Sequence, residues 1–133
     1  MKVMLLLRTY HHDDYSAIMQ LLLSLDKTLD EDEIARLQPL LINNYTIVCE
    51  VLGKIVGYAL FFVDQGHIFS LRTQANMPEQ EDIIHALLRR IQEKATESKL
   101  TQVTINNIPI YQYLLNFGFK ESNNPTLLSK NIP

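Results

Sequence analysis

The stretch Leu71–Gln92, LRTQANMPEQEDIIHALLRRIQ, decides how the rest of the chain is read, because it runs from a strand through a short acidic loop into the best amphipathic helix of the sequence. From Ile83 onward the apolar residues Ile83, Ile84, Leu87, Leu88 and Ile91 recur at helical spacing, with Arg89, Arg90, Glu93 and Lys94 mostly on the other side. Pro78 precedes the helix, and Glu79, Glu81 and Asp82 lie at its first turn, where carboxylates interact favourably with the positive end of the helix dipole. A strand feeding such a loop and helix points backbone N–H groups at whatever sits before the helix, an anion site when the loop is rich in glycine. This loop has no glycine.

On the N-terminal side, Thr46–Val51 and Ile55–Val63 are rich in Val, Ile, Tyr and Phe and are joined by Leu52-Gly53-Lys54, a hairpin pattern. Asp64-Gln65-Gly66-His67 forms a second turn, and Ile68–Gln74 a third antiparallel strand. Upstream, Val3–Thr9 reads as a first strand, with Asp13 or Asp14 as N-cap of a helix carrying Ile18, Leu21, Leu22 and Leu25. The run from Asp30, DEDEIARLQPLL, reads as a second helix ending near Pro39. Downstream of the quoted helix come a strand, Thr101–Ile105, and a helix capped by Asn106 or Asn107, with Pro109 in its first turn and Gly118 at its end. Phe117, Phe119 and Thr126–Ser129 give a last antiparallel pair.

The element order is βααβββαβαββ. It predicts one domain over residues 1–133 of the α/β or α+β class, with a mixed, mostly antiparallel sheet of six or seven strands and about four helices. One βαβ crossover, right-handed, sits in the middle.

Composition narrows the function classes. A chain of 133 residues, 47 % apolar and 20 % charged, holds an ordinary core without staples. The net charge of −3 and the lack of any Lys/Arg run longer than two argue against nucleic acid and leave a small molecule or a protein as partner. The single cysteine, Cys49, falls in an apolar run and reads as a buried thiol. The segment MKVMLLLRTY is too short in apolar residues for a signal or a membrane span, so a cytoplasmic protein is expected. His11 and His12 beside Asp13 and Asp14 raise a metal reading, but adjacent residues do not converge on one ion without ligands from elsewhere, and no metal is expected.

Three local features, with the order of elements, resemble the GNAT superfamily of N-acetyltransferases over nearly the whole chain. They are the Arg8-Thr9 strand end before an Asp-capped helix, the Glu50–Gly57 hairpin with VLGKIVGYA around it, and NIPIYQYLLNFGF from Asn107 to Phe119. The last is similar to the family's Asn-x-x-Ala…Tyr-x-x-x-Gly-Phe signature at Asn107, Gly118 and Phe119. The resemblance implies acetyl-CoA as co-substrate, held between the strands Ile68–Gln74 and Thr101–Ile105, with the pantetheine arm on the backbone of the first, including Arg72, Thr73 and Gln74. The family's pyrophosphate loop falls on Glu79, Gln80, Glu81, Asp82, Ile83 and Ile84, with Glu79 at its basic or amide position and Asp82 and Ile84 in place of its two glycines.

These departures have physical weight. Glycine permits close approach of backbone to phosphate oxygens, and side chains stand at both positions. A like-charge contact at about 4 Å costs roughly 1 kcal/mol in water and roughly 4 near a protein surface, while the dipole offers about 0.3 to 1. At the family's thiolate-protonating tyrosine stands Leu114, which has no proton to give. Tyr111 and Tyr113 are turned roughly 300° and 100° from it on a helix, so either serves as general acid only if the helix shifts.

Two functions follow. The first is an N-acyltransferase in which a small-molecule or protein amine attacks the thioester, backbone N–H groups polarise the carbonyl, and a water, Glu50 or Asp64 removes the amine proton. The second is a non-catalytic module of the same fold that binds a protein partner or dimerises. A sensor of a cationic or uncharged ligand is a third and weaker reading. Monomer and homodimer both remain open.

Overall fold

The computed structural model describes residues 4–25, 35, 39, 45–74, 78–106, 111–121 and 127–132, and the side chains of 22–25 and 111 are left aside. The nearly unbroken apolar run of β3 (Lys54–Phe62) belongs to a strand covered on both faces, with Val56 to Phe61 all buried. It pairs antiparallel with β2 (Thr46–Val51) and with β4 (His67–Thr73). The β2–β3 loop is Leu52-Gly53, both at positive φ (52° and 79°), a two-residue turn whose twist matches the strands. Lys54 is thus the first residue of β3.

β1 (Leu6–Thr9), shorter than the Val3–Thr9 expectation, lies at one edge beside β2. β5 (Gln102–Asn106) runs parallel to β4, and β7 (Leu127–Asn131) is inserted between β5 and the two-residue β6 (Lys120–Glu121). The sheet order is β1-β2-β3-β4-β5-β7-β6. Three helices are described: α1 (Tyr15–Leu25), α2 (Gln80–Glu97) and α3 (Tyr111–Phe117). The helix expected from Asp30 to about Pro39 lies almost wholly outside the described residues, as do Asn107 and Pro109. Phe117 belongs to α3 rather than to a final strand, and Gly118, at φ 111°, ends that helix.

The two faces of the sheet are covered unequally. On one, Ile83, Ile84, Leu87, Leu88, Ile91 and Ala95 of α2 and Leu114 of α3 join Ile47, Cys49, Ala59, Phe61, Ile68 and Leu71 in the main core. On the other, Ile18 and Leu21 of α1 pack on Tyr10, Val48, Tyr58 and Leu60. Cys49 is fully buried, and burial, with Glu50 adding to it, pushes its thiol up to about 11, so it remains a neutral packing group. Gly57 lets α2 come close: a Cβ there would stand 3.0 Å from Ile83 Cγ2. Among the described residues no helix is long and apolar enough to cross a membrane.

β4 and β5 are joined at one point. Their pairing is limited to His67 with Thr104 and Ile68 with Ile105. The turn before β4 seals it, with Thr104 N donating to Gly66 O at 2.8 Å. Gly66 has φ 65°, and a Cβ on it would sit 2.8 Å from Gln102 O, a backbone atom that cannot turn aside. Gly66→Ala is expected to lower stability by about 2 to 3 kcal/mol in urea unfolding, through positive φ and this clash together.

Candidate functional site

Among the described residues no pairing joins β4 to β5 beyond Ile68 and Ile105, so the strands part into a wedge with its vertex at His67–Ile68. At that vertex β4 carries a bulge. Leu60 is opposite Ser70 and Phe61 is opposite Ile68, so Phe69 is the extra residue. A bulge takes its residue out of the ladder and increases local twist, which turns β4 away from its neighbour here. Farther along, Gln74 N donates to Val56 O at 2.7 Å, so alternation turns the main-chain groups of Thr73 and Leu71 the other way, toward the wedge. Of the three residues expected to present backbone to a pantetheine arm, Thr73 turns its main chain toward the wedge, while Arg72 and Gln74 turn theirs toward β3.

The loop residues separate by role. Ile83 and Ile84 are fully buried in the main core. The expectation that Ile84 fills the space before the helix is therefore corrected: at helical spacing it faces the sheet with Leu87 and Leu88. Gln80 Nε2 donates to the buried Thr73 hydroxyl at 3.1 Å, which ties the first turn of α2 to the end of β4. Glu79 is the cap residue and makes no side-chain cap bond, Asp82 is exposed, and Glu81 lies 4.0 Å from His85 Nε2. An open groove of about 290 Å³ beside Gln74 is lined by Ala17, Gln20, Leu21, Lys54 and Ile55, with Lys54 the charged group among these described residues.

Leu114 is fully buried, and Tyr113 is half-buried against the same core. Asn107 lies outside the described residues, as does the side chain of Tyr111. Glu50 is held in an ion pair. Arg8 Nη2 donates to Glu50 Oε1 at 3.0 Å, and Arg8 forks onto Asp14 at 2.7 and 2.8 Å. In the register Glu50 is level with Ile55, beyond the Gln74 end of β4 and far from Phe69, so it does not stand at the vertex as a base. Asp64, in the exposed β3–β4 turn, accepts from the Tyr45 hydroxyl at 2.6 Å, which raises the Tyr45 pKa.

The first turn after β1 is capped differently from the expectation. His11 is the cap residue of a 3₁₀ turn (His12–Asp14): Asp13 N donates to its ring at 3.3 Å, and Asp14 accepts from His11 N at 2.8 Å. His11, His12 and Asp13 do converge, their ligand atoms within 4.8 Å of one another, because the Asp13 carboxylate reaches both rings. All three are exposed, and His11 Nδ1 is already the acceptor of that cap.

One residue at the vertex was not singled out by sequence. His67 Nδ1 lies 2.8 Å from Thr104 Oγ1, which also reaches Gly66 O at 3.5 Å. A hydroxyl that donates to Gly66 O accepts from Nδ1–H, which leaves the lone pair on Nε2. Burial alone holds the imidazole below its usual range, so it is neutral at pH 7. A single histidine in a turn gave no signal; its partner is 37 residues away.

No model of a known protein family matches the sequence, and no curated protein matches it. Solved structures do match in fold. An acetyltransferase of the GNAT family from Staphylococcus aureus Mu50 superposes with a TM-score of 0.78 at 15 % identity, over 98 % of this chain and 100 % of its own. N-acetylglutamate synthase from Neisseria gonorrhoeae, complexed with coenzyme A and N-acetyl-glutamate, gives 0.74 at 15 %, over 100 % of this chain, which spans 36 % of the synthase. The loading GNATL domain of CurA from Lyngbya majuscula gives 0.74 at 14 %, over 97 % of this chain and 98 % of its own. The chain has the GNAT fold. Identity this low carries the backbone and leaves residue roles to local chemistry.

The Arg8–Asp14 fork sets an acid dependence. Its hydrogen bonds from Arg8, outweighing desolvation, hold the Asp14 carboxyl below the usual range. The stability it adds is present above the unfolded carboxylate value and is lost as pH falls through the depressed folded one. Asp14→Asn is expected to cost about 2 kcal/mol at neutral pH, and urea midpoints of the two proteins are expected to converge below about pH 4.

Proposed function

We propose that the chain is an N-acyltransferase that moves an acetyl group from acetyl-CoA to a primary amine, with the thioester in the wedge between β4 and β5. The observation that carries this reading is the coincidence of the Phe69 bulge with the point where the two strands part. A main-chain N–H released from the ladder there can donate to the thioester oxygen as charge develops on it, and one such donor is worth about 3 kcal/mol in the transition state.

The chain's residues then divide the work. Neutral His67, oriented by Thr104, takes the proton of the attacking amine at Nε2 as the C–N bond forms. The C–S bond breaks as the tetrahedral centre collapses, and the proton on His67 returns to the thiolate. A thiol of pKa about 8.5 leaves far more readily than an amine of about 10.4, so Leu114 in place of an acid slows this step without blocking it. Tyr113 is a packing residue in this scheme.

Glu79, Glu81 and Asp82 at the start of α2 oppose the diphosphate, while Thr73 and Lys54 offer main-chain and cationic contacts along its path. Acetyl-CoA binding is therefore weak. Because the opposing carboxylates are largely exposed, salt screens them. A non-catalytic module that binds a protein through the same sheet is the second reading, favoured by those carboxylates.

Isothermal titration with acetyl-CoA is expected to give a dissociation constant in the high micromolar range that does not weaken with added salt, and Glu79→Gln with Asp82→Asn is expected to tighten it about tenfold, or about 1.4 kcal/mol. Absence of any heat or thermal shift at millimolar acetyl-CoA would favour the second reading. In acetylation assays, His67→Gln is expected to lower kcat about 100-fold or more and to remove the acid limb of the pH profile, which in the parent lies below the ordinary histidine value of about 6.5.

A further inference from the structure

We infer that the acceptor is a primary amine carried on an apolar or aromatic tail, and that this tail lies along a row of rings, Tyr45, Phe62 and Phe69, on the α1 face of the sheet. The inference rests on the acyltransferase reading, since it takes the vertex as the place where the amine reacts.

The row begins at the vertex. A bulge sets its two residues side by side, so Phe69 and Ser70, both opposite Leu60, share the α1 face. Ser70 is turned inward to the buried Tyr58 hydroxyl at 2.8 Å, while Phe69 is left 39 % exposed. Phe69 meets Phe62 with ring centroids 5.6 Å apart, and Phe62 meets Tyr45 edge-on at 5.4 Å. Phe62 is also the β3 partner of His67 in the register, so the rings run past the proposed base. A tail laid on them brings its amine to Nε2 and the bulge together.

The charge along the row favours a cation. Its outer end carries Asp64, held by Tyr45, and its inner end carries a neutral imidazole; among the described residues no lysine or arginine belongs to the row, the nearest cation being Arg72, which acts on Tyr58 behind Ser70. An ammonium is drawn toward the row and over the ring faces; it gives its extra proton to solvent, so that His67 is still neutral when the free amine attacks. An amine that also bears a carboxylate meets Asp64 with like charge, and a polyhydroxylated amine gives up water without covering the rings. Both are disfavoured.

The test is a panel of amines at saturating acetyl-CoA: ethylamine, butylamine, hexylamine, phenethylamine, ethanolamine and glutamate. Catalytic efficiency is expected to rise about fourfold per added methylene along the alkyl series, with phenethylamine near the top and ethanolamine and glutamate at the bottom. Phe62→Ala is expected to flatten that slope while thermal melting shows a folded protein. Equal or better turnover of glutamate or ethanolamine would overturn the inference and leave the acyltransferase reading standing.

If no amine is acetylated, the acyltransferase reading fails, and saturation-transfer NMR decides the row by itself. Transfer from protein aromatic protons to phenethylamine, weakened in Phe62→Ala, would support an amine site. No transfer would overturn it.

Discussion

The contact between the β3–β4 turn and β5 governs what this molecule can do. At Gly66 the backbone comes so near Gln102 that a methyl group would not fit, and the turn carbonyl accepts the amide of Thr104. Two residues of each strand pair next to it, and then the strands diverge. A sheet zipped along its full length would bury every main-chain group of β4 in ladders. Pinned at one end and bent by a bulge, β4 instead leaves main-chain groups of its far edge out of the ladder with β5.

The unequal covering of the sheet has a consequence for where chemistry sits. The face under α2 and α3 carries the larger core, mostly aliphatic with Phe61 and Phe119 among it, and a groove of about 320 Å³ opens at its edge between β1 and α2. The face under α1 has a smaller cluster, and its outer part consists of rings and hydroxyls: Tyr45, Tyr58, Phe62, Phe69 and Ser70. The Tyr45 hydroxyl is paired with Asp64 and the Tyr58 hydroxyl with Ser70, which makes these polar groups tolerable there. Arg8, with Asp14 and Glu50, does the same work at the edge, linking β1, the turn before α1 and β2 through one guanidinium. It makes Glu50 a structural group.

Much of this was legible before any coordinates. The Leu52-Gly53 turn, the periodicity of α2, the buried Cys49 and the Gly118 stop are local features, each written in a few adjacent residues whose backbone preferences agree with the fold. What escaped was relational. The Phe69 bulge exists only as a mismatch of register between β3 and β4, and a strand read alone has no register. His67 becomes a candidate base through Thr104, 37 residues away. Ile84 aligns with a glycine of the family's loop, while its helical spacing sets it on the apolar face of α2, and there the core holds it.

The sequence by itself determined the fold class, most of the strands and helices and the acidic, glycine-free start of α2, because helix and strand periods and turn residues act over a few positions. Only the tertiary structure decided that β4 and β5 part at His67–Ile68, that β7 inserts between β5 and β6, and which side chains face the wedge. Those outcomes depend on contacts between residues distant in the chain, such as His67 and Thr104, 37 apart, whose energies are settled by the simultaneous fit of sheet register, helix packing and one close backbone approach.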